Sequence, residues 1–437
     1  MNGTQGSQDR PLHSADCGFN DQLLPVGASL RAELVRHPPQ KKTKLEIKMS
    51  HVISHQPGSP NFGPAAHNIL TNSTFEKAAD EITRWTGYKP TPLYALHTLA
   101  EELHVGEVLY KHEGPRFELG SFKALGGAYA GLRVLQREVS RISGQDVELE
   151  NIRAGQWADV VCGITLVSAT DGNHGRSLAW GCQRFGAPCR IYIHAEVSES
   201  RAEAMRKCGA EVIRTDGDYD ATVDLCRSEA EANGWFVVSD TSWPGYTEPP
   251  RDVMAGYGVM VCEIFEQLED APTHVFLQGG VGGLAAAVAA SLRQFWGPKS
   301  PRVCLVEPDL APCLFESARQ GQLTNVKIGE ETIMAGLSCG VPSPMAWEIL
   351  SSEASDFLII SDDLIPPAVR RLARPAGSDP VIEAGESGVA GLAALIEASK
   401  DPELRATLEL NEYSRVLLIG SEGITDPDIY ARIMASA

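Results

Sequence analysis

Residues 274–285, His274-Val275-Phe276-Leu277-Gln278-Gly279-Gly280-Val281-Gly282-Gly283-Leu284-Ala285, join an apolar run to an alanine-rich stretch through four glycines in five positions. The pattern predicts a strand, a glycine loop and a helix, since a run of strand length gives way to residues without Cβ atoms and then to good helix formers. Successive backbone N–H groups in such a loop can close around a dianionic phosphate, and the helix dipole adds to the attraction. The bend alone is not selective. Gly280-x-Gly282-x-x-Ala285 also fits a dinucleotide fingerprint, with Glu307 ending the next strand where a carboxylate for a ribose would sit.

On both sides of this stretch short apolar runs alternate with amphipathic ones. Val108-Leu109-Tyr110 precedes 122–139; 164–169 precedes 175–186; 189–193 precedes 199–208; 211–213 precedes 219–233; 235–239 precedes 252–268. After 283–296 come 303–306 and then 416–420 leading to 426–435. Strict alternation predicts right-handed crossovers and a largely parallel sheet covered on both faces, so the class is α/β. Ligands in such sheets sit at the carboxyl ends of strands. Residues 1–62, rich in Gly, Ser, Pro, Gln and His without a sustained period, are expected to form a mostly disordered extension. A helical stretch from Phe75 to about Trp85 follows, and Pro90 and Pro92 then force an extended segment.

The chain has 437 residues, with 57 acidic against 38 basic side chains and a formal charge of −19. An acidic balance without a basic stripe argues against nucleic acid, because phosphate backbones are held by clustered Lys and Arg. No apolar run approaches the roughly 18–20 residues of a membrane-spanning helix, and the N-terminus has no charged, apolar and cleavage segments in series. The ten cysteines never form a Cys-x-x-Cys pair and sit mostly in apolar surroundings, as in Val161-Cys162 and Val303-Cys304-Leu305. They read as reduced core residues of a cytosol-like compartment, and no metal site is expected from their spacing.

Three further clusters fall at strand-to-helix turns. Gly120-Ser121-Phe122-Lys123-Ala124-Leu125-Gly126-Gly127 places a lysine in the first turn of a helix of small residues. It reads either as an exposed snorkelling lysine or as an amine whose pKa burial and the helix N-terminus lower, free to form a Schiff base. Thr170-Asp171-Gly172-Asn173-His174-Gly175 follows an apolar run; it is either an ordinary capped helix start or a site. Its backbone amides can hold a substrate carboxylate, which makes Thr170, Asp171 and His174 candidate substrate contacts, and Asn173 can bond a cofactor oxygen. Asp240 and Ser421 also end apolar runs and gain weight only as members of the set.

A Schiff-base lysine, an Asn-bearing loop, a phosphate cradle and a late hydroxyl are four parts that one cofactor, pyridoxal 5'-phosphate, explains together. A nicotinamide-dependent oxidoreductase leaves Lys123 and the Asp171 loop without a role. In Tyr88-Lys-Pro-Thr-Pro-Leu93, Arg116-Phe117, Phe122 to Gly127, Ala169 to Arg176 and Asp240-Thr-Ser-Trp-Pro-Gly-Tyr246 the chain resembles the fold-type II pyridoxal-phosphate enzymes. The likeness continues in Gln278 to Gly283, Thr332 to Gly340, Gly385-Glu-Ser-Gly388 and Ser421-Glu-Gly423, and is strongest to the diaminopropionate ammonia-lyases. The family pattern has Gly where Glu118 stands and a larger polar residue at Gly120.

The resemblance implies two α/β domains with mostly parallel open sheets and the cofactor in the cleft between them. The large domain would comprise 63–137 and 240–437, and the small one 138–239. Lys123 would hold the cofactor, with Phe122 beside its ring, Asn173 on its phenolic oxygen, Gly279, Gly280, Val281, Gly282 and Gly283 around its phosphate, and Ser421 at its pyridine nitrogen. The implied activity is α,β-elimination of 2,3-diaminopropionate to pyruvate and two ammonia. Lys123 would be the base for the L-isomer and Asp171 for the D-isomer, with Asp240 holding the second amine. A dehydratase-like lyase on serine, threonine or another β-substituted amino acid is the nearest alternative. A homodimer is the implied assembly, acting on a small amino acid and binding neither nucleic acid nor membrane.

Overall fold

The computed structural model describes residues 49–53, 63–170, 172–217 and 219–436. Its strands are β1 (Met49–Ile53), β2 (Leu93–Ala95), β3 (Glu107–His112), β4 (Leu166–Ala169), β5 (Cys189–Ile193), β6 (Glu211–Arg214), β7 (Phe236–Val237), β8 (His274–Gln278), β9 (Arg302–Pro308), β10 (Asp356–Ile360) and β11 (Arg415–Gly420). Seven form one sheet in the order β1-β10-β9-β8-β11-β3-β2, and four form a second in the order β6-β5-β4-β7. The second sheet is parallel throughout. In the first, the five central strands are parallel and the two outer ones, β1 and β2, run antiparallel. Every residue of β8 and β9 is buried, as continuous apolar runs demand when helices cover both faces.

The sequence alternation between 164 and 296 corresponds to these elements almost residue for residue, and the fold is α/β. Two departures stand out. Met49–Ile53, expected within the disordered extension, pairs antiparallel with β10, Met49 opposite Ile360 and Ile53 opposite Asp356. Its backbone groups complete what would otherwise be the open edge of β10. The rest of the expected extension lies outside the described residues. β10 itself and the helices between 313 and 407 had no counterpart in the sequence reading, which passed from 306 to 416. Cys162, expected in the core, is exposed just past the short helix Ala158–Val161, which turns Val161 inward instead.

Three helices fix the lysine-bearing turn: Lys123–Ser143, Asn173–Phe185 and Glu248–Gln267. They meet through residues that lack side chains. A Cβ at Gly126 would lie 2.4 Å from Tyr257 Cε1 and 2.7 Å from the carbonyl oxygen of Val253, and one at Gly181 would lie 2.8 Å from Ala128 Cα. Contact that close fixes both the rotation and the depth of the Lys123–Ser143 helix.

Beneath this helix lies a buried ionic cluster. Arg116 bonds Glu113 through Nε and Nη2, each at 2.8 Å, and bonds Glu263 through Nη1 at 2.6 Å and Nη2 at 2.8 Å. Lys111 Nζ donates to the same Glu263 at 2.8 Å, and the Thr91 N–H does so at 3.0 Å. Two cations thus face two carboxylates, and the Tyr88 hydroxyl joins them at 2.9 Å. The cluster ties the proline-containing segment 88–93 to β3 and to the Glu248–Gln267 helix. Replacing Glu263 by Gln leaves two buried cations sharing one carboxylate, and stability should fall by about 3–5 kcal/mol. A urea unfolding curve with an unshifted midpoint would contradict that account.

Candidate active site

Four strand ends and one helix start converge on a single hollow. One part, ≈ 530 Å³, is lined by Phe122, Lys123, Asn173, Asp240, Tyr257, Gln278, Gly280 to Leu284, Ser421 and Glu422, among others. A second part, ≈ 620 Å³, shares Lys123, Asn173, Asp240, Val281, Gly336 and Glu422 with it and adds Thr170, His174, Arg201, Tyr219 and Cys339, among others. Lys123 stands where the two meet. Asp171 lies outside the described residues.

Lys123 Nζ donates to Asp240 Oδ2 at 2.6 Å, and both side chains are largely buried. Burial by itself would push the lysine pKa down, as the sequence suggested, but the Asp240 carboxylate more than offsets it and holds the amine well above its ordinary range. The expectation of a lowered pKa is therefore overturned in this state, because it took no account of the partner. Burial pushes the Asp240 pKa up, and the charge and hydrogen bond of Lys123 pull it well below the usual carboxylate range. His174 is buried, which keeps its pKa low and its ring neutral. Its Nε2 bonds the Val238 carbonyl at 2.8 Å, while Nδ1 lies 4.0 Å from Asp240 Oδ2 and has no hydrogen-bond partner among the described residues.

The segment after Asp240 is pinned at two points. The Tyr246 hydroxyl accepts from the Ser239 N–H at 3.0 Å and donates to the Val237 carbonyl at 2.9 Å, with its ring stacked 3.8 Å from that of Trp243. Ser242 Oγ lies 2.8 Å from Ser343 Oγ and accepts from the Met345 N–H at 3.1 Å. The carboxylate therefore projects from a clamped turn.

The glycine bend leads into the helix Gly283–Trp296, whose N-cap, Gly282, has φ +96° and offers no side-chain cap. The first N–H groups of this helix have no acceptor within it. Gly280 to Gly283 line the hollow, and a Cβ at Gly280 would lie 3.0 Å from the Gly336 carbonyl. Gly279 is not part of that cradle. Its N–H donates to the Val306 carbonyl at 2.8 Å, and a Cβ there would meet Glu307 at 3.0 Å inside the sheet. Glu307 is fully buried and accepts from the N–H groups of Leu314 at 2.9 Å and Phe315 at 2.6 Å. It caps the helix Cys313–Gln320 and does not face the hollow, which removes the dinucleotide alternative.

The model of the pyridoxal-phosphate dependent enzymes matches residues 84–422. The chain belongs to that family. It is 39% identical over 354 residues to the diaminopropionate ammonia-lyase of Escherichia coli strain K12, covering 80% of this chain and 88% of that protein. It is 37% identical over 384 residues to the diaminopropionate ammonia-lyase of Salmonella typhimurium, covering 85% and 94% respectively. Among solved structures it is similar to the Escherichia coli diaminopropionate ammonia-lyase in complex with an aminoacrylate-PLP azomethine reaction intermediate. That match has a TM-score of 0.79 and 36% identity over 89% of this chain and 97% of the other. The same enzyme in complex with D-serine matches with a TM-score of 0.80.

The hollow fits the family's cofactor. A cradle of N–H groups without Cβ atoms suits a phosphate, and an amine stands beside it. Phe122 packs 4.6 Å from Tyr257, so that two aromatic rings form one wall. Ser421 Oγ accepts from Gln278 Nε2 at 2.9 Å, which leaves its own proton to donate. Among the described residues no cluster of His, Cys, Asp and Glu could hold a metal ion, and no helix is long and apolar enough to cross a membrane.

The sequence reading gave no role to Tyr257, which carries no local signal, nor to Gly336 and Glu422, which lie inside stretches that carry the family resemblance. Changing Asp240 to Asn removes the main counterweight to burial at Lys123, so its ammonium should lose its proton at lower pH. The pH at which the cofactor-free protein takes up pyridoxal phosphate at half its maximal rate should fall accordingly, since only the neutral amine attacks. A rate profile matching wild type would refute the pairing.

Proposed function

We propose that this chain is a diaminopropionate ammonia-lyase, which converts 2,3-diaminopropionate and water into pyruvate and two ammonia with pyridoxal 5'-phosphate as cofactor. The observation that carries the reading is the Lys123 amine, paired with a clamped Asp240 at the edge of a glycine cradle, in a chain similar to diaminopropionate ammonia-lyases along 80% of its length.

When bound, the cofactor supplies an electron sink that makes the substrate's Cα proton removable. Lys123 would hold it, with Phe122 and Tyr257 as a wall, Gly280 to Gly283 around the phosphate, Asn173 at the phenolic oxygen and Ser421 at the ring nitrogen. Lys123 Nζ then takes the Cα proton of the L-isomer, and Asp171 takes that of the D-isomer. Asp240 stands ready for the second amine. Once Lys123 has given up its charge, the carboxylate is left in a site that favours a cation, and a β-ammonium meets that demand. Held protonated there, the β-nitrogen departs as ammonia. His174, neutral and fixed on Val238, keeps a bare nitrogen beside Asp240 without adding charge. Thr170 would complete the seat for the substrate carboxylate.

Residues 138–239 are read as a small domain set into a large one formed by 63–137 and 240–437. A homodimer belongs to the same reading, and the nine described cysteines, all free thiols, support a cytosolic, reducing compartment.

The deciding experiment offers the purified protein both isomers of 2,3-diaminopropionate, serine and threonine, and measures pyruvate and ammonia. Diaminopropionate should be consumed at least about tenfold more efficiently than either hydroxyamino acid. A preference for serine or threonine would replace the reading by a dehydratase-like one. Lys123→Ala should abolish both turnover and the visible band of the loaded protein. Asp171→Asn should slow the D-isomer by about a hundredfold, a size typical of lost general-base catalysis, and leave the L-isomer nearly untouched. Equal losses on the two isomers would remove Asp171 from that role.

A further inference from the structure

The end of β11 carries a carboxylate that the functions assigned above do not use. Glu422 is buried, at 5% exposure, and lines both parts of the hollow. Its Oε2 accepts from Asn173 Nδ2 at 2.7 Å and from the Thr425 hydroxyl at 3.4 Å, and its Oε1 accepts from the Ser387 N–H at 3.1 Å. All three donors are neutral. The hydrogen bonds hold a negative charge next to the cofactor seat, and a carboxylate accepts more strongly from an amide than a neutral group does.

Gly385-Glu-Ser-Gly388 wraps around Glu422: a Cβ at Gly385 would lie 3.0 Å from its Cγ, and one at Gly388 would lie 2.7 Å from its carbonyl oxygen. A side chain at either position would force the Glu422 segment to shift. Ser387 passes the connection on, since its Oγ accepts from the Gly336 N–H at 3.1 Å and its carbonyl accepts from Gln278 Nε2 at 3.2 Å. Gln278 Nε2 in turn donates to Ser421. Segments 173, 336, 387 and 421–422, from distant parts of the chain, are thereby joined around one carboxylate.

We propose that Glu422 is a positioning residue: its carboxylate fixes the Asn173 amide by one N–H, leaves the other N–H for the cofactor's ring oxygen, and ties the start of the Asn173–Phe185 helix to the end of β11. This rests on the pyridoxal-phosphate reading of the site. An amide that no acceptor fixed could rotate away or turn its oxygen toward the ring. With Glu422 in place the donor end is set. Other charged or titratable groups bear on the same place. Glu386, whose carboxyl burial and the Glu422 charge push up to about 7, lies within reach of Arg201 and Asp426. Tyr110 feels Glu422 from β3, and the Lys123–Asp240 pair lines the same hollow.

The test uses the full-length protein loaded with pyridoxal 5'-phosphate and follows the pH midpoint of its visible band, together with kcat and KM for 2,3-diaminopropionate. Four forms are compared: wild type, Glu422→Gln, Asn173→Ala and the double variant. Each single change should displace the midpoint by about one unit and lower kcat about tenfold with KM little altered, the size of one lost charge-assisted bond. The double variant should match Asn173→Ala, because Glu422 acts through Asn173. Additive displacements, or a Glu422→Gln protein with the wild-type midpoint and kcat, would overturn the proposal. If Glu422→Gln does not fold, Glu422→Asp, which keeps the charge but withdraws the oxygens by one methylene, must show the displacement for the proposal to stand. A wild-type protein that stays colourless after loading sinks the underlying cofactor reading instead, so the two failures are distinct.

Discussion

An ammonium removed from water requires a carboxylate close by, and the site is organised around meeting that demand for Lys123. The lysine stands in the first turn of a helix that glycines at 126, 127 and 131 let settle deeply against its neighbours. Asp240 arrives from beyond the end of β7 in the smaller sheet, on a turn clamped by Tyr246 on one side and Ser343 on the other. The ion pair therefore depends on both sheets being placed correctly. In the proposed reaction the pair is also reversible: once the lysine is engaged and uncharged, the carboxylate remains and the pocket favours another cation. A substrate with two amines brings one.

The large sheet contributes differently. β8 and β11 are buried over nearly their whole length, so their ends are rigid, and both deliver functional groups there: the glycine bend after β8 and Ser421 with Glu422 after β11. A cofactor held between such ends gains its orientation from the sheet, not from mobile loops. The ionic cluster of Lys111, Arg116, Glu113 and Glu263 secures the strand on the far side of β11 and the segment that enters the lysine turn.

Much of this was legible in the residues. The alternation from 164 to 296 marked strands and helices because each central strand is a continuous apolar run, and such runs announce themselves. Lys123, Asn173, Asp240, Gly280 to Gly283 and Ser421 were recognisable by residue type at strand-to-helix turns. What stayed hidden depends on partners far away in the chain. The lysine's pKa could not be read without Asp240, 117 residues on. Glu422 had no role of its own in the sequence, because its partners Asn173 and Ser387 lie far away in the chain. β1 carries little apolar pattern and owes its place to the open edge of β10. Glu118 occupies a left-handed conformation, φ +60°, at the position where the family pattern has glycine, and Phe117 before it is left-handed too. No local rule favours either residue there, and the structure around them has to hold that geometry in place.

The glycine bend, finally, serves two masters. The N–H of Gly279 belongs to the sheet and its missing side chain makes room for Glu307, whereas Gly280 and Gly282 face the hollow. Neighbouring positions that look alike on the page thus answer to separate selective pressures, the first to assembly of the polypeptide and the later ones to retention of the vitamin. Tolerance to substitution along this short run should accordingly change character within a single residue.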